Sequence, residues 1–259
     1  MHELSGILAI AHRDLIKLLR DRARLVADLV FPMIFIGVLG TALQSGFGEV
    51  SGFDLLAFVF TGVLAQTLWQ SSALGVISLI EDRENDFSQE IFVSPISRYS
   101  IVIGKVVGES LVALPQGLAI IVFGVVIGIT LGPLALLALL PTMLVITVFG
   151  GAFGVLVLSR LPNRRAATQI FPFVMLPQFF LAGVFNPIEN LPWFLDVLSR
   201  LAPMRYAVDL MRNVYYGFHP EPVDVPIATL ATNLTVIAGL FVVFIVIGTA
   251  LFVRAEKNR

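Results

Sequence analysis

The sequence predicts an all-α integral membrane protein with six transmembrane helices, an N-terminal amphipathic helix at the membrane interface, and an external re-entrant helical hairpin before the last span. Of the 259 residues, 57% are hydrophobic and only 14% are charged, whereas a soluble domain carries about 25% charged residues. The mean hydropathy is +0.91. The net charge of -1 argues against a nucleic-acid-binding protein, which needs a basic surface. The chain has no cysteine, which excludes a disulfide framework and a thiolate metal site.

The count of six rests on the length of the uncharged stretches. A helix needs about 20 mostly apolar residues to cross the hydrocarbon core. The stretch 110–159 has no ionisable side chain and is too long for one crossing. Proline disfavours helix in the residue before it, so Gly132 and Pro133 divide this stretch into two spans. The other four predicted spans are 25–43, 55–80, 166–188 and 225–253.

The distribution of basic residues predicts the orientation. With six spans both termini lie on one side, which then holds fourteen Lys and Arg residues against three on the other. Because cytoplasmic segments carry the excess of Lys and Arg, we expect both termini in the cytoplasm and the chain in the inner (plasma) membrane.

Residues 1–24 form the predicted interfacial helix. Apolar side chains recur on one of its faces, and the opposite face carries Arg13, Lys17, Arg20 and Arg24. Such a helix lies along a membrane surface. Its basic face suits either lipid headgroups or a protein partner, and the pattern leaves both interpretations open.

The cytoplasmic connection 81–98 is predicted to be a docking element. Phe87 and Ile91 are four residues apart and therefore neighbours on a helix, which Pro95 would end. Anionic lipid would repel the acidic residues of this segment, so docking on a protein is favoured over resting on the membrane. The residues assigned to this loop are Glu84, Phe87, Glu90, Ile91, Phe92, Pro95 and Arg98.

The external segment 184–226 contains two short amphipathic pieces, which Pro192 and Pro203 can open. They suit a hairpin that dips into the outer leaflet and packs against the spans, because backbone at that depth must be covered by protein.

No catalytic or metal-binding residue is assigned. All three histidines lie outside the predicted spans, and Gly104-Lys105 lacks the remainder of a phosphate-binding loop. Lys105 and Glu109 are spaced to pair on one helix. Gln66 and Gln70 share a face of the second span and, with Trp69, are the candidate pathway lining; hydrogen bonding between helices is the alternative for the glutamines.

Together these features resemble the permease subunit of ABC-2 type ABC transporters over essentially the full chain, as a single transmembrane domain (1–259). The most specific segment runs from Phe185-Asn186-Pro187 through Leu191-Pro192 to Pro203-Met204-Arg205-Tyr206. One departure is Asn85-Asp86-Phe87-Ser88, where the family has a Gly-Thr-Leu-like run. The resemblance implies a dimer of permeases, a homodimer being expected, with two separate ATP-hydrolysing subunits docked below. The chain itself would bind no cofactor, and the partner would hold ATP and Mg.

Within that family the sequence looks most like drug and antibiotic exporters of the daunorubicin-resistance type. The expected function is therefore export of an amphipathic drug, antibiotic or lipid-like substrate. Export of a polysaccharide or lipid-linked glycan by the same architecture is the first alternative. A membrane channel or structural subunit unrelated to ABC transporters is the second.

Overall fold

The computed structural model describes residues 2–20, 22–84, 97–189, 191–222 and 224–257. These residues form helices and connecting turns without any strand, which confirms the all-α prediction. A π-helical segment, Phe35–Gly40, joins the second helix to the third. The helices are α1 (His2–Arg20), α2 (Arg22–Ile34), α3 (Thr41–Ser51), α4 (Leu55–Gly75), α5 (Ile77–Glu84), α6 (Arg98–Val126), α7 (Pro133–Leu158), α8 (Arg164–Leu181), α9 (Trp193–Leu201), α10 (Pro203–Phe218) and α11 (Leu230–Lys257).

Five helical stretches of the described chain are long and apolar enough to cross a membrane, so this is a multi-pass protein. The break at Gly132 and Pro133 is confirmed, because α6 ends at Val126 and α7 begins at Pro133. The five stretches are Val26–Gly48, Leu55–Glu81, Tyr99–Val126, Pro133–Leu158 and Leu230–Arg254.

The sixth predicted span, 166–188, is not confirmed. Helix α8 has 18 residues and is about 27 Å long at 1.5 Å per residue, against about 30 Å of hydrocarbon. It begins with Arg164 and Arg165 and contains two prolines and two glutamines, which lower its hydropathy. It ends at Leu181, and two residues later Gly183 adopts a left-handed φ of 70°.

Helix α4 is the centre of the bundle, where α6, α7 and α10 pack around it. Glycines permit the closest of these contacts. A Cβ on Gly150 would lie 2.2 Å from the carbonyl oxygen of Trp69, and one on Gly154 would lie 2.4 Å from that of Ala73. In contrast, α2, α3 and α11 present apolar side chains outward, as lipid-facing helices do.

Candidate functional site

A polar cavity lies between α2, α4, α6 and α8, with a volume of about 280 Å³. One wall is the face of α4 that carries Gln66, Thr67, Gln70 and Ser71. Apolar groups complete it on the other side, and Phe31 among them is about half exposed on the bundle surface. The remaining lining residues are Ala27, Asp28, Pro32, Leu74, Gln116 and Phe179.

Two buried glutamines leave acceptor atoms at this cavity without a hydrogen bond. The amide nitrogen of Gln116 donates to Asp28 Oδ2 at 3.1 Å, and that of Gln66 donates to Gln70 Oε1 at 3.2 Å. Both side chains are at least 98% buried, yet Oε1 of each has no partner among the described residues. Buried polar atoms are normally hydrogen-bonded, so these two covered acceptors beside the cavity are unsatisfied in this conformation.

The third candidate for the pathway lies elsewhere. Trp69 is fully buried, with its ring 4.6 Å from the ring of Phe153 and 6.4 Å from that of Phe149. It is not among the residues that line the polar cavity. The structure therefore brings Gln66 and Gln70 to the cavity wall and places Trp69 in the packed interior between α4 and α7.

A polar network beside the segment 85–96 joins α1, α5 and α6; it is called the inner network because that segment is predicted to be cytoplasmic. Lys105 Nζ lies 3.0 Å from Asp14 Oδ2 and donates to Ser78 Oγ at 3.0 Å, and Ser78 Oγ donates to Glu109 Oε1 at 2.8 Å. Asp14, Lys105 and Glu109 are all buried. Lys105 pairs with Asp14 from the N-terminal helix, and Ser78 links Lys105 to Glu109, the partner that the i, i+4 spacing predicted.

Helix α1 docks on α6 rather than standing apart from the bundle. A Cβ on Gly108 would lie 3.0 Å from the Cα of Ala11. Arg13 remains part-exposed and contacts Asp14 at 3.0 Å. Lys17 and Arg20 are exposed, and the side chain of Arg24 lies outside what the structure describes. The exposed cations are therefore available to either of the partners that the sequence left open.

Most of the docking loop lies outside the described residues: Phe87, Glu90, Ile91, Phe92 and Pro95 all fall within 85–96. Its two ends are described. Helix α5 ends at Glu84, and α6 begins at Arg98, where the Ser97 side chain caps the helix by accepting from the Ser100 amide at 3.1 Å. A further ion pair, Glu81 to Arg164 at 3.0 Å, ties α5 to the start of α8.

A second polar network holds α10 against the start of α11; it is called the outer network because α10 belongs to the predicted external hairpin. Asp209 accepts hydrogen bonds from the amides of Ile227 and Ala228, at 2.7 and 2.8 Å, and from Asn233 Nδ2 at 2.7 Å. Its carboxylate is buried, and Asn213 adds a bond to the carbonyl oxygen of Ala228 at 2.9 Å. This network fixes the turn that enters the last span.

Arg212 joins α10 to the N-terminal end of α4. It is fully buried, donates to the carbonyl oxygen of Gly183 at 2.7 Å, and lies over the ring of Phe58 at 3.6 Å. Burial lowers the pKa of Arg212 to about 10, so the guanidinium remains cationic at neutral pH. Phe58 and Ser78 are twenty positions apart, or about 30 Å at 1.5 Å per residue, so the outer and inner networks are separated by about one hydrocarbon thickness.

The two predicted external helices are present as α9 and α10. Pro192 immediately precedes α9, and Pro203 is the first residue of α10. The hydroxyl of Tyr206 donates to the carbonyl oxygen of Arg200 at 2.8 Å, which joins the two helices. Asn186 and Pro187 are exposed in the turn before them. The apolar face of α9 points outward, with Trp193 81% exposed, but dipping into a membrane stays a prediction.

Sequence reasoning did not single out Asp14 or Gln116. Asp14 is surrounded in sequence by basic residues, which directs attention to the exposed face. Gln116 is the single polar residue of the apolar stretch 111–129. The rarity of polar residues in a span is the signal that could have indicated Gln116. No signal short of three-dimensional contact predicts that Asp14 meets Lys105, 91 positions away.

The fold and these sites define a multi-pass α-helical membrane protein with a polar cavity in its bundle. Residues 5–216 match the ABC-2 type transporter family. The chain belongs to this family, whose members are transmembrane subunits and normally work with ATP-binding subunits.

Three relatives give the range of names in the family. The putative transport permease ycf38 of Cyanophora paradoxa is 26% identical, over 82% of this chain and 74% of that protein. Nodulation protein J of Rhizobium leguminosarum bv. viciae is 24% identical, over 90% of this chain and 87% of its own length. The probable multidrug ABC transporter permease YbhR of Escherichia coli K12 is 30% identical, over 54% of this chain and 38% of its own.

Proposed function

We propose that this chain is the permease subunit of an ATP-driven exporter of an amphipathic substrate. Two copies form the path in the plasma membrane with their termini in the cytoplasm, and two separate subunits hydrolyse ATP. The inner network supports the coupling part of this proposal. It holds α5 to α6, the two helices that precede and follow the segment 85–96 in the sequence.

The clamp supplies what transmission of force requires. A cytoplasmic ATPase can move a membrane helix only if the element it grips is rigidly connected to the helix bundle. Ser78 is six residues before the end of α5, and Lys105 is seven residues after the start of α6. Their hydrogen bond joins both ends of the loop, and Asp14 adds α1 to the same unit. When the loop moves, α1, α5 and α6 therefore move together.

The amphipathic substrate class follows from the cavity. Its wall combines polar side chains from α4 with apolar groups that include Phe31 and Phe179. A multidrug ABC permease among the relatives agrees with this class. Glycan export stays the alternative, and a channel without an ATPase partner would leave the clamped loop without a role.

The experiment tests partner docking through Phe92. A tagged permease is purified from its own host, the co-purifying ATP-binding subunit is quantified, and ATP hydrolysis is measured. We expect the permease alone to neither bind nor hydrolyse ATP, since the sequence supplies no phosphate-binding loop. Truncating an aromatic anchor commonly costs about 2 kcal/mol or more of binding, so Phe92→Ala should reduce subunit yield and hydrolysis at least tenfold.

Two further variants make this result specific. Phe218→Ala is the matched control, because Phe218 is a part-exposed phenylalanine at the end of α10, in the predicted external hairpin. It should leave the subunit yield unchanged. Glu90→Gln should have a milder effect that shrinks at high salt, as rim charges do. Full yield and full hydrolysis with Phe92→Ala would contradict the docking role of the loop.

A further inference from the structure

We propose that the polar cavity between α2, α4, α6 and α8 is a binding site for the headgroup of an amphiphile that carries hydrogen-bond donors, either an ammonium group or hydroxyl groups. This inference rests on the proposed transport function and adds the chemistry by which a substrate is selected.

The orientation of Gln116 decides what its side chain offers. Its amide nitrogen faces the carboxylate of Asp28 at 3.1 Å. A rotation of the amide by half a turn would place two oxygens in contact, so the nitrogen is held on Asp28 and Oε1 is left as an acceptor. Gln116 is 99% buried, and its Oε1 has no hydrogen bond within the described protein.

Gln66 provides a similar acceptor from α4. The amide nitrogen of Gln66 donates a hydrogen bond to Gln70 Oε1 at 3.2 Å, and Gln66 Oε1 is buried without a hydrogen-bond partner within the described protein. Leaving such an atom unsatisfied costs free energy that a donor recovers. Both Oε1 atoms are covered in this conformation, so each side chain turns toward the cavity when the ligand binds. Two acceptors from different helices, with a carboxylate beside one of them, then select a group that presents several N–H or O–H donors.

The size of the cavity limits the size of the headgroup, and its apolar side indicates where an apolar tail would lie. Ligand pockets usually measure about 300–1,000 Å³, so 280 Å³ accepts a headgroup but not a whole drug-sized molecule. Phe31 lines the cavity and is 49% exposed on α2. An apolar tail can therefore extend past Phe31 toward the lipid while the headgroup is held inside, and the ligand can enter from the bilayer without crossing the bundle.

The test compares three amphiphiles with one tail. Octylammonium carries charge and N–H donors, octyltrimethylammonium carries the same charge without donors, and octyl glucoside carries hydroxyl donors without charge. Saturable binding of each is measured calorimetrically to the permease in phosphatidylcholine nanodiscs, with empty nanodiscs subtracted. We expect at least one donor-bearing probe to bind ten times more tightly than octyltrimethylammonium, and the one that binds identifies the headgroup as ammonium or hydroxyl.

Replacing each glutamine with methionine, a side chain of similar size, tests whether binding depends on the two acceptors. Gln66→Met and Gln116→Met should each weaken the donor-bearing probe about tenfold and leave octyltrimethylammonium unchanged. Gln169→Met is the control, because Gln169 is exposed on α8 and does not line the cavity. Gln66→Met leaves the Asp28 contact intact and keeps the test valid should Gln116→Met fail to fold.

Equal binding of octyltrimethylammonium and the donor-bearing probes would overturn the proposal, as would unchanged binding in both glutamine variants. Absence of saturable binding by all three probes would overturn it as well. These measurements use the permease without its ATPase. A failure here, with normal dependence of subunit yield on Phe92, would refute the headgroup site and leave the exporter function standing.

Discussion

Replacing Lys105 with methionine should release helix α1 from the bundle. Lys105 is 99% buried, and its ammonium group lies 3.0 Å from both Asp14 Oδ2 and Ser78 Oγ. Methionine retains the length of the stem and removes the charge, which leaves the buried Asp14 carboxylate without its buried counter-ion. Breaking a buried ion pair from one side costs about 3–5 kcal/mol.

The structure places this variant at the lower end of that range. Arg13 Nη2 lies 3.0 Å from the other carboxylate oxygen of Asp14 and remains in the variant. The Arg13 side chain is 27% exposed, so water screens its contribution. We therefore expect Lys105→Met to cost about 3 kcal/mol. The double variant Asp14→Asn with Lys105→Met removes both charges and should cost only about 1 kcal/mol, since a neutral pair of similar volume is often tolerated.

The assay follows the opening of α1 directly. The chain contains no cysteine, so Ala11→Cys provides a single reporter at a position that is 2% exposed and faces α6. Its reaction rate with a maleimide reports the open fraction of the contact. A cost of about 3 kcal/mol corresponds to a rate about 150 times higher in Lys105→Met, at about 1.4 kcal/mol per tenfold. Equal rates in the single and double variants would refute the reasoning, because the unpaired Asp14 carboxylate would then add no cost in Lys105→Met.

Two further predictions concern orientation and the outer network. A cysteine at Asn258 should resist an impermeant maleimide in intact cells and react after lysis. A cysteine at the exposed Glu189 should react under both conditions. Reaction of the Asn258 cysteine in intact cells would contradict the cytoplasmic placement of the termini. Asp209→Ala should lower the midpoint of thermal unfolding more than Asp209→Asn, because the asparagine oxygen still accepts one of the three bonds. Each bond to a charged group contributes about 1.5–3 kcal/mol, so midpoints in both variants equal to that of the unsubstituted protein would show that the buried carboxylate does not hold the turn.

The sequence by itself determined the class of fold and the position of most elements. Hydrocarbon thickness fixes how many apolar residues a span needs, and proline and glycine mark where helices stop. The break at Gly132 and Pro133 and the two external helices opened by Pro192 and Pro203 were therefore predictable. The span at 166–188 was not confirmed, because two arginines, two prolines and two glutamines lower the hydropathy of α8 and the chain turns at Gly183.

Only the tertiary structure decided which polar residues act together. Local periodicity shows which face of a helix a residue occupies, but not which other helix that face meets. Gln66 and Gln70 were singled out by their spacing, whereas Gln116 and Asp28, 88 positions apart, are joined only by the packing of α6 against α2. Asp14 and Lys105 likewise meet only because α1 folds back on α6. The free energy of a buried polar group depends on the partner that folding brings to it, and for that reason the cavity and both networks emerge only from the tertiary structure.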